Sequence, residues 1–421
     1  MLAAGPGHSG LDRAFEILEY CPSLEKIHID LPGRCSVAAQ YRYDIYAEDF
    51  ANILDHSPKD NTYKFAFARF LLEYCKADNP DPHVPFSTIA EYFLKYYWYH
   101  HCKAKFWMSA RHQKRPPEIV QILDKHFTLA YYPEEYEELT TKYKDKYKIQ
   151  LDRAVADITK KCFTIVTWKF QNENNCKDDY EREIKENIDK NPRKIEFTLF
   201  DSKDTGEVKT ERGIYYDYGV ERIKYNARQK KCKKIISIEH GIKLNPHAMK
   251  FFKDNYLWLY KSVILEWSRF HEKFNVGIPR LIEKTNGTMP KRGSLAKFNT
   301  DLKDNMGCFY CGKQFDKTSP VVDHVIPFKY IGEDEFWNLV RACPTCNGTS
   351  EKYFRLSPEF FIEKLIKRNE ENSKIEKLAE SWDKLGNDSD HRSSVVWNHY
   401  NTAKSHGWPL WKPSFNYEPC L

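Results

Sequence analysis

The sequence predicts a mostly helical α+β protein, in which a large helical N-terminal region precedes a small cysteine-paired segment and a helical C-terminal extension. Gly makes up only 17 of 421 residues, roughly half its usual share, while aromatic residues reach 15%. This composition favours long helices with bulky cores over a Gly-rich sandwich or barrel. Hydrophobic residues at 41% and charged residues at 30% make a packed protein feasible, and the length corresponds to two or three domains.

Helical periodicity dominates residues 1–290. Apolar side chains recur on one wide face of several segments, and one of these follows Ser87, a candidate N-cap. Two segments interrupt the trend because they are β-prone, and we expect strands at 162–171 and 194–201. The predicted helices of this region are residues 60–75, 87–106, 116–127 and 246–275.

Gly, Pro, Ser and Lys accumulate near residues 285–299, which marks a boundary or hinge. We therefore divide the chain into 1–290, 291–356 and 357–421. The last part opens with a predicted helix at 357–386, and its aromatic tail is expected to pack back on the body through its tryptophans.

Charge and hydropathy limit the function classes. A net charge of +6 permits nucleic-acid binding through local patches without requiring it. No apolar run approaches the roughly 18 residues that span a bilayer, and no basic head precedes an apolar stretch at the start. We therefore expect no membrane association and a cytoplasmic location, where isolated cysteines are usually small buried hydrophobes.

Four of the twelve cysteines form two C-x2-C pairs within one short segment. Two residues between thiolates allow a tight turn to present both sulfurs to one tetrahedral ion. Four such ligands make a closed, structural Zn²⁺ site with no open position for chemistry. The alternative, four unrelated cysteines, would require two such pairs to coincide by chance. The predicted zinc ligands are Cys308, Cys311, Cys343 and Cys346.

A catalytic-looking dipeptide, Asp323-His324, lies between the pairs after two β-branched valines. Adjacent residues on a strand point to opposite faces, so both can serve one site only where the strand ends or bends. Pro327 favours such an ending. A second short strand is predicted at 337–340.

These residues resemble the HNH endonucleases, the zinc-knuckle branch of the His-Me finger (ββα-metal) superfamily. The motif C-x2-C … D-H-x2-P … N-L … C-x2-C-N is present in order within about residues 295–356. The signature positions are His324, Asn338 and Asn347, in a variant where Asn replaces the final His. The resemblance implies a ββα-metal nuclease domain at 291–356, preceded by a recognition or regulatory region.

The resemblance also implies a role for each residue. His324 would be the general base, because neutral imidazole accepts a proton near pH 7. Asp323 and Asn347 offer hard oxygens for a catalytic Mg²⁺ or Mn²⁺. Asn338 would hold the loop that carries the base without touching metal. One such site cuts one strand, so a homodimer is a reasonable hypothesis.

Phosphate contacts are expected from basic residues near this site. Many family members place a Lys three residues after the final Asn, where this chain has Ser350. Which basic residue substitutes for that Lys is left open. The candidate nucleic-acid-binding residues are Lys291, Arg292, Lys297, Arg341, Lys352 and Arg355.

The sequence thus predicts a metal-dependent endonuclease acting on nucleic acid, with double-stranded DNA the favoured substrate, in restriction or anti-phage defence, with a possible activating partner protein. The alternative is a non-catalytic zinc-ribbon protein that only binds nucleic acid, which would have no need for Asp323, His324 and Asn347. A zinc deaminase requires H-x-E, whereas Ile326 stands two residues after His324 here, where the Glu would be. Neither H-E-x-x-H nor a phosphate-binding P-loop motif occurs.

Overall fold

The structure is a computed structural model that describes most of the chain. One compact unit ends at Asp49, and the other comprises Phe50–Leu421. The first described helix is α1 (Arg34–Asp55). No helix among the described residues is long and apolar enough to cross a membrane. The described residues are 34–55, 61–127, 135–171, 180–290, 293–302, 307–315, 320–348, 355–372 and 374–413.

Helices make up most of the described residues before residue 290, as predicted. The segment predicted at 246–275 is two helices, because the Asn255 side chain donates to the Phe251 carbonyl (2.9 Å) and interrupts the helix. The prediction that Ser87 is an N-cap is wrong, since Pro85 occupies that position. The helices are α2 (Tyr63–Cys75), α3 (Phe86–Tyr97, continued by a π-helix Trp98–Lys103), α4 (Glu118–His126), α5 (Tyr136–Thr140), α6 (Lys144–Gln171), α7 (Glu181–Lys190), α8 (Ser202–Thr205), α9 (Pro246–Asp254), α10 (Tyr256–Glu272) and α11 (Leu281–Asn286).

The strand predicted at 162–171 is wrong, because these residues form the C-terminal part of α6. Phe163, Val166 and Phe170 are buried, and their spacing places them on one helical face. Burial of that face against α3 and α4 decides the conformation, although the side chains favour strands locally.

An antiparallel six-stranded sheet is larger than the sequence predicted. Its centre is β4, which pairs with β2 and β3 along one edge and with β5 and β6 along the other, while β1 pairs with β6. The prediction at 194–201 is confirmed by β2, and the other strands were missed. The strands are β1 (His83–Val84), β2 (Glu196–Asp201), β3 (Lys209–Glu211), β4 (Tyr216–Asn226), β5 (Lys231–Ile236) and β6 (Ile242–Leu244).

The described residues of the cysteine-paired segment form two strands followed by a short helix, in the predicted order, and a further short helix lies between the strands. β7 (Val321–His324) pairs antiparallel with β8 (Leu339–Ala342), and His324 lies opposite Leu339. The helix α12 (Phe328–Ile331) lies in the connection, and α13 (Pro344–Asn347) follows β8. Residues 336–338, which were predicted to belong in part to the second strand, form a 3₁₀ turn.

The described residues of the C-terminal extension form three helices, α14 (Glu359–Glu371), α15 (Glu376–Asp383) and α16 (Ser389–Ser405). The predicted helix at 357–386 is therefore divided in two. The helix α16 was missed because its polar first turn, capped by the Asp388 side chain, has no clear apolar period. Trp408 and Trp411 of the tail are buried.

Candidate active site

The four paired cysteines converge on one point. Their Sγ atoms all lie within 4.8 Å of one another, and those of Cys311 and Cys343 are 3.8 Å apart. Zn–S bonds of about 2.3 Å in a tetrahedron place sulfurs about 3.8 Å apart, so the four thiols could hold a zinc ion. Within the described ranges no other group of three or more His, Cys, Asp or Glu side chains is arranged to hold a metal.

Local backbone geometry forms the two cysteine turns. In the first, the Cys308 N–H donates to the Lys313 carbonyl (2.8 Å) and the Gly312 N–H donates to the Cys308 carbonyl (2.8 Å). Gly312 has a φ of +72°, a conformation that glycine adopts without strain. In the second, the Cys346 N–H donates to the carbonyl of Cys343 (3.0 Å), and Cys343 is the N-cap residue of α13.

The electrostatics of the cluster favour thiolate at one position. The Cys346 thiol donates to Cys308 and lowers the pKa of Cys308 to about 4, assisted by nearby backbone N–H groups and opposed by burial. The same bond raises the pKa of Cys346. Thiolate is the form that binds metal, and before a metal binds it is favoured at Cys308 alone of these two positions.

Asp323 is tied to the first cysteine turn. Its carboxylate is buried, and Oδ2 accepts a hydrogen bond from the Tyr310 hydroxyl (2.8 Å). Burial, and then the charge of Asp323, raises the pKa of Tyr310 well above its usual value, so the phenol keeps its proton and donates. Because Tyr310 lies between Cys308 and Cys311, the cysteine cluster helps to orient Asp323.

His324 ends β7 with its ring buried. Nε2 lies 3.1 Å from Oδ1 of Asp334, and the Phe328 ring centroid is 5.4 Å away. Nδ1 is buried and has no hydrogen-bond partner among the residues that the structure describes. A carboxylate beside Nε2 favours the tautomer protonated there, which leaves a lone pair on Nδ1.

Asn338 bridges the connection that follows His324. Its Nδ2 donates to the Ile326 carbonyl (2.8 Å), and its Oδ1 accepts from the Ile326 N–H (2.8 Å). Its own carbonyl accepts from the Val325 N–H (3.0 Å). These three hydrogen bonds are the kind of contact that would hold the loop behind His324. The role that the resemblance assigns to Asn338 stays a prediction.

We expect Asn338→Ala to destabilise this loop. The change leaves the buried N–H and carbonyl of Ile326 without partners, at a cost of about 1–3 kcal/mol for each group. Denaturant unfolding should show a lower free energy than wild type. Asn372→Ala is the matched control, because Asn372 makes one hydrogen bond at the end of α14. An effect no larger than that of the control would contradict this assignment.

The remaining predicted site residues lie in varied settings. Asn347 is half-buried at the end of α13, which packs against β7. Arg341 lies opposite Val322 on β8, with its guanidinium 5.1 Å from the Phe315 ring centroid. Lys297 is exposed, and Arg355 is half-buried. Lys291, Arg292 and Lys352 lie outside the described residues.

Sequence reasoning missed Tyr310 and Asp334. The position of Tyr310 inside the first C-x2-C pair was an available signal. Asp334 belongs to the acidic run Glu333–Glu335, and that run alone does not reveal that one carboxylate faces His324.

Two family models match separate parts of the chain. The HNH endonuclease model matches residues 308–352, which include all four clustered cysteines. A second model, described as Domain of unknown function (DUF8808), matches residues 47–284, more than half of the chain. The chain belongs to the DUF8808 family. It carries an HNH endonuclease domain behind the DUF8808 region, and no curated protein or solved structure matches it.

Lys284, the last residue of the DUF8808 region, reaches into the HNH domain. Its side chain is buried, and Nζ donates to the carbonyls of Pro279 (2.7 Å) and Tyr330 (2.5 Å). Tyr330 belongs to α12, in the connection behind His324. Burial lowers the pKa of Lys284 to about 7.

This lowered pKa predicts a pH-dependent contribution to stability. Between pH 7 and 10.5 the unfolded chain holds a proton on Lys284 that the folded chain has lost, so the free energy of unfolding rises with pH. The slope is at most about 1.4 kcal/mol per pH unit. We expect the free energy of unfolding of wild type, minus that of Lys284→Met, to rise with pH when both are measured by denaturant unfolding. Lys377→Met is the control for removing a lysine charge, because Lys377 is an exposed lysine that pairs with Asp301 (2.8 Å) far from α12 in sequence.

Proposed function

We propose that this protein is a metal-dependent HNH endonuclease that hydrolyses phosphodiester bonds, with double-stranded DNA as its substrate. The HNH domain supports a nuclease and implies nucleic-acid binding. The observation that carries the proposal is the buried His324, with Nε2 beside a carboxylate and no partner at Nδ1 among the described residues. A module that only binds nucleic acid does not need a buried imidazole that has a carboxylate beside one ring nitrogen and a lone pair on the other.

In the proposed mechanism, Nδ1 of His324 takes a proton from the water that attacks phosphorus. Asp323 and Asn347 would hold Mg²⁺ or Mn²⁺, because carboxylate and amide oxygens are the ligands that these ions prefer. When bound, the ion would supply positive charge against the phosphate and the leaving oxygen. Tyr310 fits this role for Asp323, since its hydrogen bond to Oδ2 fixes the orientation of the carboxylate.

The four cysteines would hold a structural Zn²⁺. A closed set of four thiolates leaves no open position for water, so the zinc would stabilise the fold without taking part in hydrolysis. The hydrogen bond from the Phe309 N–H to the Arg341 carbonyl (2.9 Å) links the first cysteine turn to β8 and supports this stabilising role.

We further propose a cytoplasmic restriction or antiviral-defence role, in which the DUF8808 region recognises the target or regulates cleavage. Arg341 and Arg355 would contact phosphates near the site, together with Lys291, Arg292, Lys297 and Lys352. A double-strand break would need two HNH domains, so the active form would be a homodimer, with or without an activating partner. Sedimentation that finds only monomer on cleavable DNA would contradict the dimer.

The experiment that tests this function is the sequencing of cut ends from a mixed pool of modified and unmodified DNA and RNA. Wild type and His324→Ala are incubated with the pool in Mg²⁺ or Mn²⁺. We expect new ends in duplex DNA with wild type alone. Ends confined to RNA would contradict the substrate, and identical ends with both proteins would contradict the catalytic assignment.

A further inference from the structure

Three consecutive acidic residues in the connection between β7 and β8 have three different partners. Glu333 forms an ion pair with Arg280 of the DUF8808 region. Asp334 faces His324 at 3.1 Å. Glu335 accepts from the Ser381 hydroxyl (2.8 Å) in the C-terminal extension. The residue beside the proposed base is therefore held between contacts to the two flanking parts of the chain.

The Arg280 side chain lies close to the connection between β7 and β8. Arg280 adopts a left-handed conformation (φ +53°) at the start of α11, which side chains other than glycine adopt at a cost. Its guanidinium also pairs with Glu283 (3.0 Å). Gly332, next to Glu333, has a φ of +84°, and a Cβ there would lie 2.6 Å from Cδ of Arg280. The Arg280 side chain thus packs directly against the backbone that carries Glu333.

The same connection has other anchors in the DUF8808 region. Lys329 pairs with Glu135 (2.9 Å), and Lys284 donates to the Tyr330 carbonyl. The position of Asp334 therefore depends on residues outside the HNH domain. His324 itself is only 5% exposed, and Asp334 is the carboxylate that lies within hydrogen-bond distance of its Nε2.

We propose that Asp334 is a positioning residue for His324 and that Arg280 holds Asp334 in place through Glu333. The inference rests on the proposed function and extends it, because it makes the DUF8808 region a determinant of the hydrolytic rate. Asp334 fixes the ring orientation and keeps the proton on Nε2. The ion pair of Arg280 with Glu333 restricts the backbone from which Asp334 projects.

Nicking of duplex DNA under single-turnover conditions tests this relation. We expect Asp334→Ala to lower the maximal rate by about 10- to 100-fold, as loss of a carboxylate partner of a site histidine does, with half-saturating DNA concentration unchanged. Arg280→Gln and Glu333→Gln should each lower the rate by at least about fivefold, and the double variant should be no slower than either. Zinc content and the unfolding midpoint should match wild type. Arg182→Gln is the control, because Arg182 pairs with Glu186 on the surface of α7.

The outcomes separate this inference from the proposed function. If wild type nicks DNA and His324→Ala does not, full rates in Asp334→Ala or in Arg280→Gln overturn the inference and leave the function standing. Rate losses that only parallel zinc loss or unfolding also overturn it.

A spectroscopic measurement tests the inference without any activity. Long-range ¹H–¹⁵N spectra of histidine-labelled protein report ring tautomers, and the His324 signals are assigned by their loss in His324→Ala. We expect the Nε2-protonated form in wild type, and mixed tautomers in Asp334→Ala and Arg280→Gln. Identical ring signals in all three would overturn the inference even for a protein that cuts nothing.

Discussion

His324→Ala is expected to lower the rate of DNA nicking by about 100- to 10,000-fold, the range that general-base catalysis contributes. The ring ends β7, and its Nδ1 has no other hydrogen-bond partner in the described part of the chain. Removing it eliminates the proposed proton acceptor without touching the cysteine cluster or the Asn338 bridge. Zinc content and the unfolding midpoint should therefore stay close to those of wild type.

The matched control for this variant is His247→Ala, since His247 is exposed on α9 and contributes nothing to the site. It should nick at the wild-type rate. Equal rates for wild type and His324→Ala would contradict the assignment of His324 as the base. DNA binding by both proteins with cleavage by neither, across many substrates, would instead favour a zinc module that only binds nucleic acid.

Cys343→Ser is expected to release zinc and loosen the HNH domain. Structural zinc contributes about 10–16 kcal/mol of apparent binding free energy in small zinc domains, and much of it is coupled to folding. Loss of one thiolate should therefore remove zinc during dialysis against a chelator. Faster hydrogen exchange should follow in β7 and β8, because the cysteine turns flank both strands.

Cys102→Ser provides the control, because Cys102 is a buried thiol outside the cluster. It should retain one zinc per chain after the same dialysis. A Cys343→Ser protein that keeps its zinc and its slow exchange would contradict the four-thiolate site.

The candidate site could be predicted from sequence because its chemistry is carried by short-range patterns. Each C-x2-C pair spans four residues, and a turn of that length fixes where both sulfurs point. Asp323 and His324 were placed at a strand end by Pro327, and β7 does end at His324. The roles given to Asn338 and Asn347 came from the HNH resemblance.

Contacts between distant residues could not be predicted in the same way. Arg280 and Glu333 are 53 residues apart, and neither lies in a motif. The segment 162–171 has a strand-like composition, but packing of α6 against α3 and α4 determines a helix. The strands β1, β3 and β6 have only two or three residues, too few to show a period, and pairing with their neighbours in the sheet supplies the missing information.

The dependence of nicking on added Mg²⁺ or Mn²⁺, measured with protein that contains one zinc per chain, tests the central claim most directly. We predict no nicking with zinc alone, a saturable rise in rate as either cation is added, and no rise for His324→Ala at the same zinc content. Cleavage that persists without added cation, or that rises equally in His324→Ala, would contradict a zinc-stabilised hairpin whose imidazole activates water beside a second metal.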